Sequence, residues 1–182
     1  MLLLNILQFI IDAAASVLGG VLLLRFWMQA IRVRPPSSVA QFTFTLTDWL
    51  VKPLRRILPG VGGYDWASLL GAFLVVVLAS CLLFLFGYDL QMVLLHALLR
   101  FLNWIIYGFM ALLIIEAIFS WINPNAPLAP FVHALNEPLL RPVRKVVPPI
   151  GGLDLSVLVV LILLQIAQLV LSRVLAVPLM VA

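Results

Sequence analysis

The strongest constraint on this chain is a stretch that occurs twice. Residues 47–65 carry Asp48, Pro53, Arg55, Pro59, Gly62, Gly63 and Asp65. Residues 136–154 carry Glu137, Pro142, Arg144, Pro148, Gly151, Gly152 and Asp154 in the same order, each 89 positions further on. A single offset for every pair marks an internal duplication, so the fold must present one structural unit twice. The expected units are residues 1–87 and 88–182, integrated in one membrane domain.

Each copy opens on an acid and continues with apolar and basic residues at helical spacing. In the second copy Leu139, Leu140, Val143, Val146 and Val147 can share one face, and Arg141, Arg144 and Lys145 fall on the other. Such a helix lies in a membrane interface, with its cations toward headgroups and water. Lys52, Arg55 and Arg56 give the first copy the same character. Together these six cations form the expected lipid- or partner-binding face, with anionic phospholipid and other membrane proteins as partners. Pro53 and Pro142 predict a short or kinked helix, ended by the Pro–Gly-Gly run. Asp65 and Asp154 each stand just before a new apolar segment, where a helix cap belongs.

The rest of the chain is apolar enough to make the environment clear. Of 182 residues 65% are hydrophobic and 10% charged. Soluble domains carry about a quarter charged residues, so the chain is expected to be a polytopic all-α membrane protein. Four spans are expected, a tandem of two per copy, each copy also holding a cytoplasmic amphipathic interfacial helix. The first covers about residues 2–31 and lacks a basic start, so it reads as a retained span and not a signal peptide. The second covers 66–86 without a charge. Residues 90–122 are too long for one ordinary span. Leu90–Arg100 is therefore expected as an extension or surface helix, and about Phe101–Ile122 as the span. The last covers about 155–175.

The doubled pattern resembles the YggT (YlmG-like) family of small integral membrane proteins. Lys52-Pro53-Leu54-Arg55-Arg56, Pro138-Leu139-Leu140-Arg141-Pro142-Val143-Arg144-Lys145 and Pro148-Pro149-Ile150-Gly151-Gly152-Leu153-Asp154 carry the likeness. Leu24-Arg25-Phe26-Trp27 and Phe119-Ser120-Trp121 add to it. The resemblance implies a role in the bacterial envelope, such as osmotic-stress tolerance or a link to cell division. In plastids the association is with cofactor assembly or nucleoid placement. It implies no reaction and no catalytic residue. Family members often carry an arginine near position 116, so Glu116 departs from the pattern.

No constellation here supports catalysis, cofactor binding or a metal. Cys81 stands alone in an apolar run. His96 and His133 lack ligand spacing and read as interfacial polar residues. Gly62-Gly63 and Gly151-Gly152 read as turn glycines. An excess of eleven basic over seven acidic residues suits anionic lipid better than nucleic acid on so apolar a chain. The sharper signals are intramembrane: Asp12, Arg25 and Glu116 lie within the expected spans, where ionisable groups are costly. Asp12 is near enough to an end to be hydrated. Arg25 and Glu116 stand at equal depth in the two copies, which predicts an ion pair between spans one and three. Asn5, Gln8 and Asp12 run along one face of the first span, and Gln165, Gln168 and Ser172 along the last. These faces predict contact between spans one and four, through Gln8 and Gln168.

Two functions fit: a non-catalytic membrane scaffold or assembly factor, or a small channel or transporter for ion or osmolyte balance, possibly homo-oligomeric. Eight basic residues cluster in the two long loops, which puts both loops in the cytoplasm and both termini in the periplasm. Cysteines introduced at Ser37 and Ala126 are therefore expected to be labelled only from the cytoplasmic side, and one at Asp89 only from outside. Reversal at any of the three sites rules out this topology.

Overall fold

The computed structural model describes residues 2–147 and 154–181, with side chains described as far as residue 174. Six helices follow in order: α1 (Leu2–Ala30), α2 (Ser37–Ile57), α3 (Trp66–Ser80), α4 (Leu90–Ile122), α5 (Ala129–Arg144) and α6 (Leu155–Val181). A short 3-10 segment, Cys81–Phe86, prolongs α3. No strand occurs among the described residues beyond one isolated bridge, Val61–Tyr64. Four helical stretches are long and apolar enough to cross a membrane: Leu2–Ala30, Trp66–Phe86, Leu90–Ile122 and Leu155–Val174.

The order long span, amphipathic helix, span repeats. Within the first unit α1, α2 and α3 pack on one another; within the second, α4, α5 and α6 do the same. The units meet where α4 lies against α1 and α3. Each has its own small core. Leu22 and Val51 are closed in with Ala67 and Ala72 in the first, and Leu113 and Leu140 with Val157 and Val160 in the second. Val51 and Leu140 come from the amphipathic helices, so these helices are held by burial of their apolar stripe. Outside these cores large apolar side chains stand exposed along the spans, among them Phe9, Val17, Leu78, Ile114 and Leu158. In water such a surface is costly; against hydrocarbon it is the matched one.

Aromatic rings make much of the joint between the units. Trp27 of α1 meets Phe109 of α4 edge-on at 4.9 Å, and Phe73 meets Phe101 at 5.4 Å in the same manner. The Trp27 indole N–H also donates to the Leu135 carbonyl of α5 at 3.0 Å.

Several expectations change. Residues 90–122 form one helix without interruption, so Leu90–Arg100 extends the span, as one of the two readings has it, and is not a separate surface helix. Asp89 caps it by accepting the Met92 backbone N–H at 2.8 Å, and no proline follows to break the hydrogen-bond ladder. The prolines break neither amphipathic helix: α2 runs 21 residues through Pro53, and α5 runs 16 through Pro138 and Pro142. Burial of Val51 and Leu140 offsets the missing backbone donors. The last helix extends beyond residue 175, to Val181. Spans one and four do not pair through Gln8 and Gln168. Instead α6 packs on α4 and α5, and Gln168 donates to the Tyr107 hydroxyl of α4 at 2.7 Å. Gly62 and Gly63 take φ of 70° and 84°, as turn glycines do. The second Pro–Gly-Gly run, 148–152, lies outside the described residues.

The α1–α4 crossing depends on one missing Cβ. A Cβ at Gly19 would overlap the Trp104 ring, whereas one at neighbouring Gly20 would meet nothing within 4 Å. Overpacking a close contact costs about 1–3 kcal/mol. Gly19→Ala is therefore expected to lower the thermal midpoint in detergent by several degrees, and Gly20→Ala to leave it unchanged or raised. Equal effects at the two sites would show that the crossing does not depend on this contact.

Candidate functional site

Where each amphipathic helix crosses the end of its long span, charged side chains gather. In the first unit Arg25, only 6% exposed, projects from α1 toward α2. Its Nη1 donates to Thr47 Oγ1 at 2.6 Å and Asp48 Oδ1 at 2.8 Å. Its guanidinium carbon sits 4.8 Å above the Phe44 ring, and its Nε lies 3.5 Å from Asp65 Oδ2. Asp65 is 1% exposed and has three tasks. It caps α3 through the Ser68 N–H, accepts the Ser68 hydroxyl at 2.6 Å, and takes a forked pair of bonds from Arg55 at 2.6 and 3.2 Å. Lys52 closes the cluster on Asp48 at 2.9 Å.

The second unit repeats the frame. Arg144 donates Nε and Nη2 to Asp154 at 2.8 and 2.7 Å, the counterpart of Arg55 with Asp65. It also reaches Glu137, counterpart of Asp48, at 2.8 Å. Asp154 accepts the Ser156 N–H at 3.0 Å at the start of α6. The span residue is now an acid. Glu116, 8% exposed, meets His133 Nδ1 at 2.7 Å, Asn136 Nδ2 at 3.4 Å and Arg144 Nη2 at 4.0 Å. His133 and Asn136 stand 89 positions after Phe44 and Thr47, the residues that meet Arg25.

These contacts overturn the expected Arg25–Glu116 pair. Each residue is satisfied inside its own unit, because α2 and α5 bring partners directly across the span ends. Between α1 and α4 stand instead Trp27 and Phe109, on the wall of an apolar cavity of about 360 Å³. Arg144 and Arg55 do not belong to a free cationic face; they tie α5 and α2 to the following spans. Arg56, Arg141 and Lys145 are exposed and unpaired among the described residues. Asp12 is not simply hydrated. It pairs with Arg100 of α4 at 2.6 Å, and Arg100 stacks 5.6 Å over Trp104. His133 is a partner of Glu116 and not a bystander. The sequence reading missed Arg100, Thr47, His133 and Asn136. For the last three the signal was present: the duplication aligns each with a residue that meets the span charge.

The carboxyl groups outside the spans are tuned by this pairing. Lys52 first, and then Arg25, hold Asp48 below its ordinary value of 3.8. Burial pushes Asp65 upward, but the bonds from Arg55 and Ser68 outweigh it and the net shift is down. Asp154 behaves likewise, with Arg144 outweighing burial. The bond to Asp65 raises Arg55 in turn.

Fold and site together define a class: a polytopic α-helical membrane protein made of a tandem unit, each carrying a charge-tied amphipathic helix. The CCB3/YggT profile matches residues 4–86 and again 95–175, and the chain belongs to that family. An uncharacterized protein from the proC 3' region of Vibrio alginolyticus is 35% identical over 173 residues, covering 90% of this chain and 92% of the relative. The uncharacterized protein YggT of Escherichia coli K12 is 32% identical over 172 residues, covering 94% and 92%. An uncharacterized protein of Haemophilus influenzae is 35% identical over 145 residues, 79% of each chain. No solved structure matches.

Removing one partner of a fully buried pair costs about 3–5 kcal/mol; Arg55 is 44% exposed, so water screens its pair with Asp65 and the cost is smaller. Asp65→Asn is expected to lower the thermal midpoint strongly, Arg55→Gln less, and the double change by less than the sum. Strictly additive losses would rule out the coupling. The three depressed carboxyls set the pH response. The unfolded chain protonates them near 3.8, before the folded chain does. Their contribution is thus complete above about pH 5 and is lost as pH falls below about 4. A midpoint flat from neutral pH to about 5 and falling below 4 is the expected profile; a fall beginning near pH 6 would contradict it.

Proposed function

We propose that the protein is a non-catalytic membrane scaffold or assembly factor whose basic cytoplasmic face binds anionic phospholipid and partner membrane proteins. One observation carries this reading. Both amphipathic helices are tied to their spans by buried or half-buried ion pairs, Arg55–Asp65 and Arg144–Asp154, while Arg56, Arg141 and Lys145 remain exposed and unpaired among the described residues. The tie sets a rigid platform at the end of the bundle, and the remaining cations face outward from it. The positive-inside asymmetry supports a cytoplasmic platform, with both termini opposite. A bacterial inner-membrane location suits the relatives' sources, and osmotic-stress tolerance suits an envelope protein that binds lipid.

The channel reading finds less support. Asp12, Arg25 and Glu116 each close on a separate local partner, and a shared pathway would align them. Each exposed cation near an anionic surface contributes about 1 kcal/mol, weakened by salt. Changing Arg56, Arg141 and Lys145 together to Gln is expected to lower the number of phosphatidylglycerols retained in native mass spectrometry and to leave phosphatidylcholine retention unchanged. Retention of phosphatidylglycerol at the original level would overturn the lipid-binding face. Ion flux through proteoliposomes of the purified protein would support the channel instead.

A further inference from the structure

The two clefts formed where α2 crosses α1 and where α5 crosses α4 are the same cleft, duplicated. The first, about 490 Å³, is walled by Arg25, Gln29 and Val33 from the end of the long span and by Phe44 from the amphipathic helix. The second, about 280 Å³, is walled by Glu116, Ser120 and Pro124 in the same spacing, and by His133 at the place of Phe44. Their chemistry has separated. Arg34, Lys52 and Arg55 join Arg25 around the first, against one wall carboxylate, Asp48. The second has a carboxylate at its floor and no arginine or lysine on its walls.

The cations of the first cleft are not all consumed by their neighbours. Arg25 is more than nine-tenths buried, and its Nη1 is occupied by Thr47 and Asp48. Its Nε is buried against Asp65 Oδ2 at 3.5 Å, and among the described residues its Nη2 has no hydrogen bond. Arg34 is exposed and unpaired among the described residues, and Lys52 holds Asp48 only through an exposed pair that costs little to release. The loop that carries Arg34 is specially bent. Arg32 takes φ 57°, the only positive φ at a non-glycine among the described residues. It ends α1 with a 3.0 Å bond from Val33 N–H to the Met28 carbonyl and a 3.1 Å bond from its own N–H to Gln29. Glycine is the usual residue at this position of the motif. An arginine held there is strained, and such strain collects at functional sites. The bend lays Val33, Arg34 and Pro35 along the cleft. The second unit has no such turn: Asn123, which ends α4, has φ −151°.

We propose that the first-unit cleft is a discrete site for one phosphate ester, the headgroup phosphate of an anionic phospholipid. Arg25 forms its fixed floor, and Arg34 and Lys52 close on the ligand from the rim. The volume lies within the usual range for small-molecule sites. Guanidinium groups match phosphate oxygens in pairs. The site lies at the end of the span, where headgroups are found. The second cleft, with Glu116 at its floor, rejects the same group, so the chain takes one tightly held phosphate and not two. This rests on the lipid-binding reading above, and narrows it from a face to a cleft.

Native mass spectrometry of the full protein in detergent, titrated with phosphatidylglycerol, tests the site. One lipid is expected to bind more tightly than the rest. Arg34→Gln with Lys52→Gln should weaken that first lipid roughly tenfold or more, since two cations are lost. Arg141→Gln with Lys145→Gln, on the other unit, should leave the first lipid unchanged and reduce only the weaker ones. Both pairs are exposed, and an unchanged thermal midpoint confirms that the variants fold. Equal weakening of the first lipid by the two double variants overturns the cleft but leaves the lipid-binding face standing. No weakening by either overturns both. Inorganic phosphate at millimolar concentration identifies the source. Failure to displace the first lipid assigns the site to a headgroup; displacement that Arg34→Gln with Lys52→Gln abolishes assigns it to free phosphate in the same cleft.

Discussion

A charge placed within a membrane-spanning helix must find a partner, and the architecture follows from meeting that need twice. Arg25 and Glu116 lie more than nine-tenths buried near the ends of α1 and α4. Left alone, either would be costly. Each is met by a helix of its own unit lying across the span end: α2 supplies Thr47, Asp48 and Phe44 to Arg25, and α5 supplies His133, Asn136 and Arg144 to Glu116. The amphipathic helices are therefore structural members before they are surface elements. Their position is fixed again from the far side, because Arg55 and Arg144 grip the carboxylates that cap the following spans. One aspartate, Asp65, thus joins three helices: it caps α3, pairs with α2 and lies within reach of the arginine of α1.

Much of this was legible in the amino-acid order. The duplication, the four apolar segments and the two amphipathic helices all follow from spacing and composition. The capping position of Asp65 and Asp154 was also readable from their place before an apolar run. The partners were not. Arg25 and Glu116 have opposite charge and equal depth, which is the evidence a pair would leave in the sequence. Depth, however, says nothing about direction around the helix, and both side chains turn toward their own amphipathic helix. The helix angle of 100° per residue leaves that rotation to packing, here to the ring of Trp27 against Phe109 and the close approach of Gly19 to Trp104. Arg55 and Arg144 show the same limit. A helical wheel assigns them to the polar face, but the arginine stem is long enough to turn back under the helix and meet an acid ten residues on. Asp12 and Arg100 are 88 positions apart, and no local pattern links them.

The two units keep their frame and change their contents. Arginine to capping aspartate is retained in both, at the same separation of ten residues. The span residue has reversed sign. In the first unit three cations, Arg25, Lys52 and Arg55, surround two carboxylates. In the second, three carboxylates, Glu116, Glu137 and Asp154, surround one arginine, and His133 and Asn136 supply the remaining donors to Glu116. The frame tolerates this because it is local. Neither cluster lends a residue to the other, so one can change sign without disturbing its counterpart.

The two span residues differ in what their chemistry asks of neighbours. A guanidinium carries five N–H donors, and Thr47 and Asp48 engage only Nη1 of Arg25, so Nη2 is left without a hydrogen bond among the described residues. A carboxylate carries only acceptors. Glu116 must be held by close donors, and it takes them from His133 at 2.7 Å and Asn136 at 3.4 Å, with the Arg144 cation 4.0 Å away. Donors committed to Glu116 are not free for anything entering the second cleft. The same duplication has therefore produced one cluster with donor capacity to spare and one whose donors are already engaged. That difference in spare hydrogen-bonding capacity, more than the difference in cleft size, separates the two halves of the molecule chemically.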